Sequence, residues 1–268
     1  MSAPLRLTAA LFAALAFAGP AAAAPRVMAL DSCADQFVLA LSPRESIVGL
    51  SARADDRDSY MRVAARGLPV RRATAEAVLA TAPDVVVRYW GGDARLEAAL
   101  RRRGVRVARI EDAADFDGVR RNVRTVAAAL GQETRGEALV ADMDARLARA
   151  HGAWSGRPAL YITPGGYTTG PGTLVDAVLR AAGLSNLATG DAWRPLPLER
   201  IVREPPAAFV LGFFDRFTTA MNRWGPGRHQ ALRRRFPGRV VASLDGAVLG
   251  CPAWFAGEAA ESLAGARR

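Results

Sequence analysis

Two rhythms alternate along the chain. Short, mostly apolar runs occur at Arg26 to Leu30, Ile47 to Leu50, Asp84 to Arg88, Val105 to Ile110, Pro158 to Ile162, Ala207 to Leu211 and Arg239 to Ser243. Runs of this length without polar alternation predict strands covered on both faces. Between them, apolar residues recur every three or four positions. That spacing predicts helices from the end of an Asp31-Ser32-Cys33 loop through Leu41, Ala94 to Arg103, Thr173 to Ala182, near His229 to Arg235, and from Pro252 onward. Strands alternating with helices predict parallel sheets layered with helices, an α/β fold. Asp55 to Gly67 and Thr163 to Gly172 read as loops.

The middle of the chain breaks this alternation. Phe116, Val119, Val123, Val126 and Leu130 form one helical stripe, Gly131 interrupts it, and Leu139, Met143, Leu147 and Ala150 form a second. A helix of that length reaches roughly 30 Å at 1.5 Å per residue, enough to bridge two lobes. A repeat supports two lobes. Glu76-Ala77-Val78-Leu79-Ala80-Thr81-Ala82-Pro83 leads into Asp84-Val85-Val86-Val87, and Glu199-Arg200-Ile201-Val202-Arg203-Glu204-Pro205-Pro206 leads into Ala207-Ala208-Phe209-Val210-Leu211. In each copy a Glu opens a short helix and a Pro precedes a buried strand. The expected organisation is a signal peptide at 1–23, an N-terminal α/β lobe at 24–131, a bridging helix at 132–156 and a C-terminal α/β lobe at 157–268.

The signal peptide rests on Arg6, the apolar Leu7 to Phe17, and the small residues Ala21-Ala22-Ala23-Ala24. That pattern reads as a cleaved export signal, with the mature protein soluble in a bacterial periplasm. Every one of the 36 basic residues is Arg, and the formal net charge is +10. The Arg residues are dispersed apart from Arg101-Arg102-Arg103 and Arg233-Arg234-Arg235, and export argues against a nucleic-acid partner. Export permits a disulfide between Cys33 and Cys251; two separate thiols are the alternative.

Open parallel sheets bind ligands beyond the carboxyl ends of their strands. That rule selects Asp31, Ser32 and Cys33 after the first strand, and Tyr89 and Trp90 with Gly91-Gly92 after the third. In the second lobe it selects Thr163 to Tyr167, and Phe213, Phe214, Asp215 and Arg216. Aromatic faces here suit a flat, largely apolar ligand oriented by a few polar groups.

The chain resembles bacterial periplasmic substrate-binding proteins of the metal-chelate class, which serve ABC importers of vitamin B12, ferric siderophores and haem. The resemblance is carried by Arg26-Val27-Met28-Ala29-Leu30-Asp31-Ser32-Cys33-Ala34-Asp35, by Glu76 through Asp84, by Thr169-Gly170 with Leu174 and Val178-Leu179, by Ala182-Gly183-Leu184-Ser185-Asn186-Leu187, and by Trp193 through Pro206. It covers essentially all of the mature chain. It implies two α/β lobes joined by one long helix with the ligand between them, and no catalysis. It also implies that Trp193 contacts the ligand and that Glu76 and Glu199 dock with Arg residues of an inner-membrane permease. The ligand set is then Asp31, Ser32, Cys33, Tyr89, Trp90, Tyr167, Trp193, Phe213, Phe214 and Arg216. The protein is expected to act as a monomer with no cofactor of its own, the metal arriving inside the ligand. Two positions that are aromatic in the B12 binders are Arg53 and Val70 here. Together with Arg88, Arg216 and Arg228 as candidate partners, this favours an anionic chelate. Corrinoid and ferric siderophore rank together, with haem third.

Other classes fit less well. A zinc or manganese carrier needs several imidazoles around one ion, and the chain has only His151 and His229. No Gly-x-Ser-x-Gly, His-Glu-x-x-His or Walker motif occurs. A thiol enzyme using Cys33 with His229, and a haem or other periplasmic carrier of the same fold without a permease, are the remaining alternatives.

Overall fold

The structure is a computed structural model that describes residues 24–190, 192–214 and 225–267. The expected signal peptide at 1–23, and Arg216 among the site candidates, lie outside the described residues.

Two four-stranded parallel sheets form the scaffold. The first has the order β2-β1-β3-β4, from β1 (Val27–Ala29), β2 (Ile47–Gly49), β3 (Val85–Arg88) and β4 (Arg106–Arg109). The second has the order β10-β9-β5-β7, from β5 (Arg157–Ile162), β7 (Leu184–Asn186), β9 (Phe209–Gly212) and β10 (Val240–Leu244). Taken from its other edge, the second sheet has the connectivity of the first, with β5 in the place of β1. The Glu-opened repeat falls on equivalent elements: α3 (Ala75–Ala80) leads into β3 and α8 (Leu198–Arg203) leads into β9. β3 and β9 are interior strands, which is why both copies read as unbroken apolar runs.

Helices cover both sheets. α1 (Ser32–Leu41) packs Phe37, Val38 and Leu41, all fully buried, against the face of the first sheet that presents Val27, Val85 and Val87. The opposite face holds Met28, Val86, Leu96 and Leu100, supplied in part by α4 (Ala94–Arg102). In the second lobe α7 (Leu174–Ala181) buries Val178 and Leu179. Side chains cap the N-termini of these helices: Asp31 on α1, Asp93 on α4 and Thr173 on α7, each accepting from a backbone N–H of the first turn.

The expected helical middle is α5 (Phe116–Leu130) and α6 (Glu133–Ala150), separated by Gly131 at φ +65°. α6 reaches roughly 27 Å at 1.5 Å per residue. It does not cross alone, because it packs against both α5 and the last helix, α11 (Ala256–Gly265). Gly136 brings α6 close to α5, since a Cβ there would lie 2.5 Å from the Ala127 methyl. Gly257 of α11 packs against Met143 in the same way. Trp154 donates its indole N–H to the Leu263 carbonyl at 2.9 Å, the packing role its place after α6 suggests. One apolar core therefore runs from Phe37 through Val126 and Met143 to Trp254 and Leu263.

Several elements depart from the sequence expectation. The stretch read as a loop between Asp55 and Gly67 contains the short helix α2 (Arg62–Ala65). The stretch from Thr163 to Gly172 contains β6 (Tyr167–Thr169), which pairs antiparallel with β8 (Trp193–Pro195). Thr163 and Tyr167 close the turn into β6 through backbone and hydroxyl bonds of 2.9 to 3.2 Å, with Gly166 at φ +81°. The pairing partner is distant in sequence, so local pattern does not disclose it. Near the chain's end α9 (Gln230–Arg233) is shorter than expected, the short α10 (Gly246–Leu249) is an element the sequence does not announce, and α11 begins at Ala256 rather than Pro252. No helix among the described residues is long and apolar enough to cross a membrane.

Candidate functional site

In each sheet the chain lays the second strand on one side of the first and the third on the other. The carboxyl ends of β1 and β3, and of β5 and β9, therefore lie at topological switch points, where open parallel sheets bind their ligands. A covalent bond ties the turn after β1 to the segment that follows the last strand of the second sheet. Cys33, just after β1, is joined to Cys251, which follows β10 and α10, with a Cα–Cα distance of 5.5 Å. Beside the bond, Tyr60 stacks on Phe255 at 4.4 Å between centroids and donates its hydroxyl to Glu258 at 2.7 Å. Asn122 reaches the Pro252 carbonyl at 3.4 Å. The disulfide leaves Cys33 no thiol to act as a nucleophile, which overturns the thiol-enzyme alternative, and Cys33 is 2% exposed.

Asp31, expected to contact the ligand, is engaged by the protein itself. It is 2% exposed, and its carboxylate accepts four backbone hydrogen bonds. One oxygen takes the N–H groups of Cys33 at 3.1 Å and Ala34 at 2.9 Å; the other takes those of Tyr89 at 2.8 Å and Gly91 at 2.9 Å. It organises the loop after β3 rather than facing the crevice. Ser32 keeps partial exposure in the first turn of α1, where its carbonyl accepts from Gln36 at 2.7 Å.

Tyr89 is half-buried and donates its hydroxyl to Asp112, a residue the sequence reading did not single out although it follows β4 at the same sheet edge. Burial, and then this hydrogen bond, push the phenol well above the usual tyrosine range. Trp90, next in the chain, is 57% exposed. Tyr167 and Trp193 are 47% and 49% exposed, and both lie on one face of the β6–β8 pair, where Tyr167 is opposite Pro195 and Thr169 opposite Trp193. Trp193 stands edge-on to Tyr161 at 5.9 Å, and Tyr161 is fully buried. The described residues thus present three large exposed rings at these edges, one on the first lobe and two on the second.

The second aromatic pair behaves differently. Phe213 adopts φ +63°, an unusual conformation for a non-glycine residue at the end of β9. Phe214 packs at 6.5 Å from Phe236, and the Arg228 guanidinium lies 5.2 Å over its ring while donating to its carbonyl at 2.9 Å. Phe214 thereby serves the core around Phe209. Arg88 is held by Glu97 at 3.0 Å and by the Gly92 carbonyl at 3.1 Å, and Arg53 by Asp56 and Asp58 at 2.9 and 3.1 Å. These two guanidiniums are engaged within the protein. Among the described residues, no group of three or more His, Cys, Asp or Glu side chains is placed to hold a metal ion.

A profile of the family described as periplasmic binding protein matches residues 27–213, more than half of the chain. The chain belongs to the periplasmic binding protein family. Over 198 residues this periplasmic binding protein is 31% identical to a protein named cobalamin-binding protein from Halobacterium salinarum, an alignment covering 70% of this chain and 53% of that one. The chain spans about half the length of the curated relatives it matches. Its fold matches the periplasmic haem-binding protein RhuT from Roseiflexus sp. RS-1 in apo form with a TM-score of 0.70 at 26% identity, covering 91% and 98% of the two chains. It matches the periplasmic vitamin B12 binding protein BtuF of Vibrio cholerae with a TM-score of 0.65 at 17% identity, covering 91% and 96%, a likeness of fold alone.

A buried acid beneath the site gives this binding protein a pH signature. Asp35 is fully buried on α1 and accepts from Ser51 N–H at 2.8 Å and Ser51 Oγ at 2.5 Å. Desolvation outweighs these bonds and raises its pKa to about 6. With the folded pKa above the unfolded one, folding favours the protonated acid. The stability is fully present below about pH 4 and is lost as pH rises through 6. A rise of about two units corresponds to roughly 3 kcal/mol. Asp35→Asn keeps an acceptor for Ser51 without the charge. Its urea midpoint, relative to the parent, is expected to rise between pH 4.5 and pH 7.5; an unchanged difference would sink this assignment.

Proposed function

We propose that the protein captures a flat tetrapyrrole metal chelate, a corrinoid ahead of haem, at the meeting carboxyl edges of its lobes and delivers it to an inner-membrane ABC permease. The observation that carries this reading is the trio Trp90, Tyr167 and Trp193. Large rings held half-exposed on rigid loops and strands offer stacking faces to a flat apolar macrocycle. The cobalamin-binding relative supports the corrinoid, and the haem-binding structure at 26% identity supports haem as the second ligand. A ferric siderophore lacks a continuous flat face and ranks below both. The site residues proposed to touch ligand are Trp90, Tyr167 and Trp193, with Ser32, Tyr89, Phe213 and Arg216 at the margin. The protein works as a monomer in the periplasm, without a cofactor of its own and without catalysis.

The test is titration of the purified mature chain with cyanocobalamin, haemin and a ferric hydroxamate, read by tryptophan fluorescence with absorbance correction. Saturable quenching by cyanocobalamin at micromolar concentration or below is expected. No response to any of the three overturns the reading.

Glu76 and Glu199 are the proposed permease contacts. Both are exposed near the start of equivalent helices, and neither makes an ion pair among the described residues. With Glu76→Arg plus Glu199→Arg, uptake into permease-bearing vesicles is expected to fall at least tenfold while chelate affinity in solution is unchanged, because like charges then meet at the docking surface. Undiminished uptake would favour a carrier that works without a permease.

A further inference from the structure

A short path joins the exposed indole of Trp90 to the opposite lobe. The Asp31 oxygen that binds Tyr89 N–H and Gly91 N–H brackets Trp90 from both sides. Gly91 lets this loop lie against the end of β1, since a Cβ there would sit 2.4 Å from the Leu30 carbonyl oxygen. The other Asp31 oxygen caps α1 on the N–H of Cys33 and Ala34. Cys33 is two residues further on and is bonded to Cys251. The segment beyond Cys251 is seated on the first lobe by Pro252 on Asn122 and Glu258 on Tyr60. A helix cap needs only one or two N–H groups. Asp31 binds four, two of them from a loop 58 and 60 residues away in sequence.

We propose that Asp31 and the Cys33–Cys251 disulfide act together as a positioning unit for Trp90, setting the height and orientation of the indole against the second lobe and thereby the affinity of the site for its chelate. The affinity clause rests on the function proposed above; the placement of Trp90 does not. Two-electron reduction by a dithiol breaks the S–S bond, yields the two protein thiols and leaves the reductant as a cyclic disulfide. It frees the Cys251 segment from the turn that Asp31 organises. Asp31→Asn acts at the other end of the path. The amide nitrogen it introduces faces N–H donors on either side, so one pair of bonds is lost while the disulfide stays intact.

The experiment uses the mature chain labelled with 5-fluorotryptophan and read by fluorine NMR, with the Trp90 resonance assigned from Trp90→Phe and the Trp154 resonance from Trp154→Phe. Dithiothreitol, and separately Asp31→Asn, are expected to shift or broaden the Trp90 resonance while Trp154, buried against Leu263, keeps its position and reports an intact fold. Cyanocobalamin affinity is expected to fall about tenfold in both cases. If reduction also moves Trp154, the oxidised Asp31→Asn protein carries the test. An unchanged Trp90 resonance in Asp31→Asn overturns the inference whether or not any chelate binds. A moved Trp90 resonance with undiminished affinity overturns its link to binding. A moved resonance in a protein that binds neither cyanocobalamin nor haemin supports the positioning unit and sinks the functional reading instead.

Discussion

Cys251→Ala is expected to lower the unfolding free energy by about 5 kcal/mol, the chain-entropy value for opening so long a loop. The two cysteines are 218 residues apart, so the bond restrains nearly the whole unfolded chain. Little is lost in the folded state to add to this. Cys33 remains buried as a small apolar group, and Tyr60, Asn122 and the Phe37–Trp254 edge contact at 5.5 Å still hold the terminal segment. Urea unfolding of the oxidised parent and the variant at one pH provides the measurement. At a slope of about 3 kcal/mol/M the midpoint drops by roughly 1.7 M. A loss below about 1 kcal/mol would show that the unfolded chain is already held together by other means, and the disulfide would then matter only for local geometry.

The fold was legible in the sequence wherever one periodicity dominated. The apolar runs at Val27, Val85 and Phe209 are interior strands, and covering on both faces is what removes polar residues from them. The Glu-opened repeat marked equivalent places in two sheets of the same connectivity because each copy feeds an interior strand. What stayed hidden depends on partners far away in the chain. β6 exists because Trp193 to Pro195 lies beside it, and a Pro-Gly-Gly sequence alone reads as a loop. The site divided along the same line. The strand-end rule located Asp31, Tyr89 and Trp90 together, but only the hydrogen bonds distinguish the carboxylate that holds the loop from the indole the loop displays. Phe213 and Phe214 repeat the aromatic pair of the first lobe in sequence, yet Phe236 and Arg228 draw Phe214 into packing. Asp112 under Tyr89 and Tyr161 under Trp193 support the exposed aromatics from positions no motif announces.

Those supports decide how much each exposed ring contributes. Trp193 rests edge-on against a fully buried Tyr161, and the backbone on either side of Trp90 is bonded to Asp31, so the Trp193 ring and the Trp90 main chain lose little freedom when a ligand arrives. A pre-positioned tryptophan covered by ligand has the character of a binding hot spot, about 2 kcal/mol or more on truncation, which is roughly thirtyfold in affinity. Trp90 and Trp193 belong to different lobes and share no described contact, so their losses are expected to add. Trp90→Ala and Trp193→Ala each weaken cyanocobalamin binding about thirtyfold, and the double variant about a thousandfold. Equilibrium dialysis followed by cobalamin absorbance measures this without relying on the indoles as probes. Val240→Ala supplies the comparison: Val240 is a partly exposed apolar residue at the amino end of β10, the opposite edge of the sheet, and its loss leaves affinity unchanged. If the double variant binds within threefold of the parent while remaining folded, the ligand is not held between these two rings, and the switch-point crevices lose their claim to the site.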